Sequence, residues 1–379
     1  MDSLLSAINR SKILVCCGSG GVGKTTVAAA LGLYGALTGR KTLVMTLDPA
    51  RRLADALGLD PDSHEAGRVP LEKLAPLGVH PSGSLHALIP DTARTFDRVI
   101  ERHVRSRRSR EKILNNRYYR VLSADLAGSH EYMAAERLYE IHGAGEYNLI
   151  VLDTPPSRRA LDFLDAPRRL SNLLGDSLLW KFVRPAAKTG FLGLRAVNAA
   201  TAPAQKVIGQ LLGIEVYREI ADFLALGDEV FFEGFRRRAK AVEKLLAGRG
   251  SMFLAVASPD PAPLQEGLYL HERLKKHRMP FGGFVVNRVH PVYEAGEAAD
   301  GGVADGTDEP SPELRAKMAE ARDWLNRRGA VDREALERLR TAVGPEVPVH
   351  PVPSLGPDVH DLPGLLRVYD AIKAGAGGS

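Results

Sequence analysis

The chain has 379 residues, 44% of them hydrophobic and 26% charged, which suits a folded globular protein and excludes a mostly disordered one. Its formal net charge of +5 is too mild to mark a nucleic-acid binder, so no nucleic acid is expected among its partners. The opening segment M-D-S-L-L-S-A-I-N-R lacks a basic stretch followed by a sustained apolar run, and nowhere do eighteen apolar residues stand together. A cytoplasmic protein is therefore expected, with no integral membrane segment and any membrane contact peripheral. In chain order, apolar runs that read as strands recur at Ile13–Cys17, Thr42–Leu47, Leu85–Ile89, Leu149–Asp153, Phe253–Ser258 and Phe284–Asn287, most of them separated by helix-compatible segments. Repeated β-then-α with near-continuous apolar strands predicts an α/β fold: a mostly parallel central sheet flanked by helices on both faces. Ligand residues should then gather at the carboxyl ends of the strands. Cys16 and Cys17 are adjacent inside the first strand, where they suit neither a disulfide framework nor a metal pair.

The first strand runs directly into G-S-G-G-V-G-K-T-T, Gly18 to Thr26, followed by an Ala/Leu-rich helical stretch from Val27 to Leu37. This completes G-x-x-x-x-G-K-[ST] in the context the pattern needs, a strand before it and a helix after it. Gly18, Gly20, Gly21 and Gly23 leave backbone N–H groups free to point at phosphate oxygens, and the helix dipole adds partial positive charge. Ser19, Val22 and Thr26 complete the loop. Lys24 is predicted to reach the β- and γ-phosphates of ATP, and Thr25 to ligate Mg²⁺. Binding a nucleotide is not hydrolysing it, which also requires acidic residues near the metal and the attacking water. Asp48 in T-L-D-P-A-R-R and Asp153 in L-I-V-L-D-T-P-P-S each end a predicted strand and are the candidates.

Two regions break the β-α rhythm. Arg168 to Leu246 contains no convincing strand but carries broad apolar helical faces, including Leu173, Leu178, Trp180, Phe182, Leu211, Phe223 and Phe231. Either a packed helical cap or a binding groove would read this way. Ala295 to Pro312, rich in Gly, Ala, Asp and Glu, reads as a surface loop. These boundaries assign residues 1–167 and 247–375 to a nucleotide-binding α/β domain and 168–246 to a helical insertion. The basic segment Glu101–Arg120 is read as a solvated helix face.

The loop, D-P-A-x-x-L-x-D at Asp48–Asp55, D-T-P-P at Asp153–Pro156, S-P-D-P-x-x-L-Q-E at Ser258–Glu266 and V-V-N-R at Val285–Arg288 together resemble the ArsA family of P-loop ATPases, which includes the arsenite-pump ATPase and the targeting ATPase for tail-anchored membrane proteins. The resemblance spans about Lys12 to Arg367, in order. It implies that Asp48 in a first switch polarises the attacking water, that Asp153 in a second switch supports Mg²⁺, and that Asn287 contacts adenine, with Arg288 beside it. It also implies a homodimer, or a heterodimer with a paralogue, and a client or membrane protein met through the helical segment.

One departure matters. Members of the family generally carry a second lysine early in the loop that reaches a dimer partner's phosphates, and Ser19 stands at that position here. A hydroxyl delivers no positive charge, so either turnover is slower or one of Arg51, Arg52, Arg158 and Arg159 substitutes. The arsenite-binding cysteines and the C-x-x-C zinc pair of the family are absent as well. The readings that remain are an Mg²⁺-dependent ATPase that controls a partner protein, and a nucleotide-regulated chaperone or membrane-associated scaffold with negligible turnover.

Overall fold

All six apolar runs enter one sheet. The computed structural model describes residues 4–47, 52–58, 65–104, 106–116, 129–156, 234–293, 311–356, 359 and 361–377. Strands β1 (Ile13–Gly18), β2 (Lys41–Thr46), β3 (Gly67–Arg68), β4 (Ser84–Leu88), β5 (Leu149–Asp153), β6 (Ser251–Ala257), β7 (Phe281–Val289) and β8 (Val349–Pro353) form an eight-stranded sheet in the order β3-β4-β2-β5-β1-β6-β7-β8. Every neighbouring pair is parallel except β3 with β4. The expected parallel α/β architecture of a P-loop nucleotide hydrolase is therefore present.

Burial follows from composition. Residues of β1, β5 and β6 are buried along their whole length, as central parallel strands covered on both faces must be. The helix Lys24–Leu37, K-T-T-V-A-A-A-L-G-L-Y-G-A-L, packs on β2 and β5, and its small residues allow close approach. The C-terminal helix Leu362–Gly377 covers it in turn, with Tyr369 stacked on Tyr34 at 5.9 Å between ring centroids. Both edges of the sheet are blunted against further pairing. At one edge β3 is two residues long; at the other, β8 carries Pro351 and Pro353, which cannot donate to a ladder. The same prolines hide β8 from sequence reading.

By its contacts the chain divides into two compact units. One comprises Met1–Leu88, Tyr147–Arg158 and Ala247–Ser379 and contains the sheet; the other comprises Ile89–Glu146 and Arg159–Leu246. The helices of residues 89–146, which sequence reading left with the sheet, thus group with the second unit. Most of the expected insertion 168–246 lies outside the described residues; its last part is the helix Phe235–Leu246. Within this unit the helix Ser129–Ala144 packs against both Thr92–His103 and Phe235–Leu246. Phe96, Val99, Ile100, Met133, Leu138, Val242 and Leu246 are buried there. Asp91 caps Thr92–His103 by accepting from the Arg94 N–H at 2.7 Å, and Ser106 caps the basic helix Arg107–Leu114. A buried ion pair joins two of the helices, Arg238 Nε donating to both carboxylate oxygens of Glu136 at 2.8 and 2.7 Å. The neighbouring arginines Arg102 and Glu111-paired Arg107 are exposed, as a solvated face requires.

Candidate nucleotide-binding site

Because β1 lies between β5 and β6, the carboxyl ends of three central strands meet at the start of the phosphate loop. Gly18 ends β1 in register with Val256, and a Cβ there would overlap the Val256 carbonyl oxygen, so the close sheet contact itself demands glycine. Gly23 precedes the helix at φ 90°, a left-handed conformation open to glycine, and a Cβ on it would meet the Asn287 amide. From this turn the helix begins at Lys24. The Lys24 side chain, buried, folds back to donate from Nζ to the Ser19 carbonyl at 2.7 Å, which places the ammonium over the loop.

On the β5 side, Asp153 is fully buried and its Oδ2 accepts two hydroxyls, Thr25 Oγ1 at 2.7 Å and Thr46 Oγ1 at 3.0 Å. Thr154 then ties the strand end to β1, its hydroxyl donating to the Cys16 carbonyl at 2.9 Å. Thr25 and Asp153 offer hard oxygen donors of the kind Mg²⁺ takes, and phosphate oxygens and water would complete its octahedron. The donor set fits that ion. Among the described residues no group of three or more His, Cys, Asp or Glu gathers to hold a metal by itself. Burial pushes the Cys16 thiol well above its ordinary value, with the Asp153 carboxylate adding to the effect, and pushes Cys17 up to about 12. Both are inert packing residues.

On the β7 side, Asn287 Nδ2 donates to the Val22 carbonyl at 2.9 Å and Arg288 Nη1 to the Gly21 carbonyl at 3.0 Å. Arg288 does so from φ 64°, an unusual conformation for a non-glycine residue, which fits a position held for a purpose. Two residues on, His290 is clamped to the long helix Pro312–Val343: Asp332 Oδ2 accepts from its backbone N–H at 2.9 Å and lies 2.8 Å from its Nδ1. Arg328 of the same helix donates to Asp260 Oδ1 at 2.7 Å, and Ser258 Oγ donates to Asp260 Oδ2 at 2.9 Å. Hydrogen bonding from Arg328 holds the Asp260 carboxyl below its ordinary value.

The structure therefore brings together Gly18, Ser19, Gly20, Gly21, Val22, Gly23, Lys24, Thr25 and Thr26 with Asp153, Asn287 and Arg288. Asp48, Arg51, Arg158 and Arg159, and the side chain of Arg52, lie outside the described residues. Two contacts escaped sequence reading. Thr46 ends β2 one strand from β1, and Glu266 receives the Ser19 hydroxyl at 2.6 Å across 247 residues of chain. A polar residue at the end of an apolar strand is a signal that could have found Thr46; nothing local marks Glu266.

Residues 11–299 match the sequence pattern of the anion-transporting ATPases, the ArsA ATPase family. The chain belongs to this family. It is 29% identical over 255 residues to a Streptomyces coelicolor protein described as uncharacterized, covering 66% of this chain and 55% of that one. It is 22% identical over 374 residues to the putative arsenical pump-driving ATPase 1 of Aquifex aeolicus, covering 95% and 78%. With the ATPase GET3 of Malassezia globosa it shares 27% over 164 residues, 43% and 44% of the two chains. The chain thus spans about half the length of the first and third of these ArsA-family relatives. The ArsA assignment agrees with the P-loop and the parallel sheet, and it marks a family of ATP-hydrolysing enzymes.

Proposed function

We propose that the chain binds Mg²⁺-ATP at the Gly18–Thr26 loop and hydrolyses it, the nucleotide state controlling a client or partner protein. The observation that carries this reading is the convergence of Lys24, Thr25 and Asp153 at the ends of adjacent strands. Lys24 is taken to neutralise the β- and γ-phosphates, Thr25 to hold the metal, and buried Asp153 to fix Thr25 by accepting its hydroxyl. The bound Mg²⁺ would spread the charge that builds on the phosphates during transfer. Asp48 is assigned the attacking water on resemblance, and Asn287 with Arg288 the base end of the site. A second reading, a nucleotide-held switch with negligible turnover, is favoured by Ser19 standing where the family's second lysine would be. Among the described residues no helix is long and apolar enough to cross a membrane. A cytoplasmic ATPase, dimeric with itself or a paralogue, touching membranes only peripherally and meeting its client through the helical segment 168–246, is the form proposed.

Calorimetry and phosphate release on the full chain test this. Lys24→Ala should abolish tight ATP binding, because it removes the loop's only cationic side chain. Undiminished affinity would show that the loop is not the site. Stoichiometric nucleotide in the purified protein, with phosphate release no faster than in Lys24→Ala, would decide for the switch.

A further inference from the structure

We infer that Glu266 sets the charge balance of the phosphate site and makes this chain discriminate against ATP in favour of ADP. This rests on the reading that the loop binds nucleotide. Ser19 touches both charges at once: its carbonyl accepts from Lys24 Nζ at 2.7 Å, and its hydroxyl donates to Glu266 Oε2 at 2.6 Å. The ammonium aimed at the β- and γ-phosphates and a carboxylate are therefore separated by one buried residue.

Glu266 is not a loose rim residue. It sits on the helix Pro261–Lys276, whose Leu264, Gly267 and Leu270 are buried. A Cβ on Gly267 would already touch the Phe284 ring, so the helix lies hard against β7. Its N-terminus is fixed through Asp260 to Arg328 of the long helix. The scaffold thus holds the carboxylate beside the loop, and a serine hydroxyl satisfies one lone pair without cancelling the charge.

A fixed negative charge beside a polyanion site lowers affinity in proportion to the charge brought in. ATP brings one more unit than ADP, and it brings that unit to the end of the nucleotide that Lys24 meets. At partly buried separations of several ångströms, one unit of charge is worth roughly tenfold in affinity. A lysine in place of Ser19 would neutralise Glu266; the serine leaves the charge standing.

The test is calorimetric titration of the full chain with ATP and with ADP, each with Mg²⁺. Glu266→Gln keeps the shape and an acceptor for Ser19 but removes the charge. It should tighten ATP about tenfold and ADP by clearly less, so that the wild-type preference for ADP collapses. Ser19→Ala, which removes the hydrogen bond and keeps the charge, should preserve that preference. Equal shifts for both nucleotides in Glu266→Gln, or none, would overturn the inference and leave Glu266 a purely structural partner. If Glu266→Gln does not fold, Glu266→Asp draws the charge back by one methylene and must move the ratio the same way by a smaller factor. Failure of the underlying reading is distinguishable: in that case Lys24→Ala leaves both affinities unchanged.

Discussion

The phosphate loop has a β5 side and a β6 side, and each presents a carboxylate that is held differently. Asp153 ends β5, is fully buried, and accepts two threonine hydroxyls, one of them from the loop's own Thr25. Glu266 follows β6 on a helix, is half-buried, and accepts from Ser19. A buried acid surrounded by hydroxyls is arranged to share a cation with the phosphates, whereas an acid beyond the loop's second residue can only oppose them. Position around the loop, more than residue type, decides what each charge does.

The largest effect should come from breaking the first side. Asp153→Asn keeps the volume but weakens the hold on Thr25 and removes charge next to the proposed metal. Turnover should fall on the order of 100-fold and the Mg²⁺ concentration needed for half-maximal rate should rise, while metal-free nucleotide binding survives. Steady-state assays across a Mg²⁺ series check this. The comparison sharpens if Glu266→Gln leaves the Mg²⁺ requirement where it was; an equal rise in both variants would erase the distinction between the two sides.

The next effect concerns the backbone that both sides share. Gly18→Ala drives a methyl into the Val256 carbonyl of β6, so either β1 and β6 separate or the loop shifts. A loss of about 2–4 kcal/mol in denaturant unfolding is expected. Gly20→Ala is the control: its nearest neighbour would be the Pro156 ring at 3.9 Å, ordinary contact, and stability should change by less than about 0.5 kcal/mol.

These two glycines also show what sequence can carry. The loop, the strand before it and the helix after it are contiguous, so their spacing fixes their geometry, and Lys24 and Thr25 were legible for that reason. Asp153 was legible because an apolar strand ending in an acid announces a strand terminus. The neighbours of β1 were not, since strand order is a property of pairing and no run of residues states that β5 and β6 flank it. Ser19 meeting Glu266, and His290 meeting Asp332, depend on that order. The strand β8 was missed because Pro351 and Pro353 argue locally against it, a preference that an edge position overrides.

A smaller effect should follow from adding charge on the second side. Ser19→Lys places an ammonium within reach of Glu266 of the same chain, so the pair should form in cis and the ATP affinity should rise about threefold to tenfold. Turnover should then stay independent of protein concentration. Combining it with Glu266→Gln frees the ammonium, and only in that double variant should a gain grow with concentration if two chains meet across their nucleotide sites. A concentration-dependent gain in the single variant would show that Glu266 does not capture the new charge.

The smallest effect belongs to a third carboxylate, Asp260, which stands farther from the loop and about half-exposed. Its carboxyl is held below the ordinary value of 3.8, chiefly by the hydrogen bond from Arg328, with Ser258, the Arg328 charge and His290 acting the same way against the opposing cost of burial. A carboxyl lowered in the folded state binds fewer protons there than in the unfolded chain. Its stabilisation is therefore complete above the unfolded value and is lost as pH falls through the lower folded value. Asp260→Asn, which keeps an acceptor for Ser258, should cost under about 1 kcal/mol at pH 7, since a pair this exposed is screened by solvent. Below the folded value the wild-type group is itself protonated, and the two unfolding midpoints should converge. Midpoints that stay apart by the same amount from pH 7 down to pH 2 would show that Asp260 acts through shape and not through charge, and would leave Asp153 and Glu266 as the only carboxylates around β6 and β5 whose charge matters to the comparison.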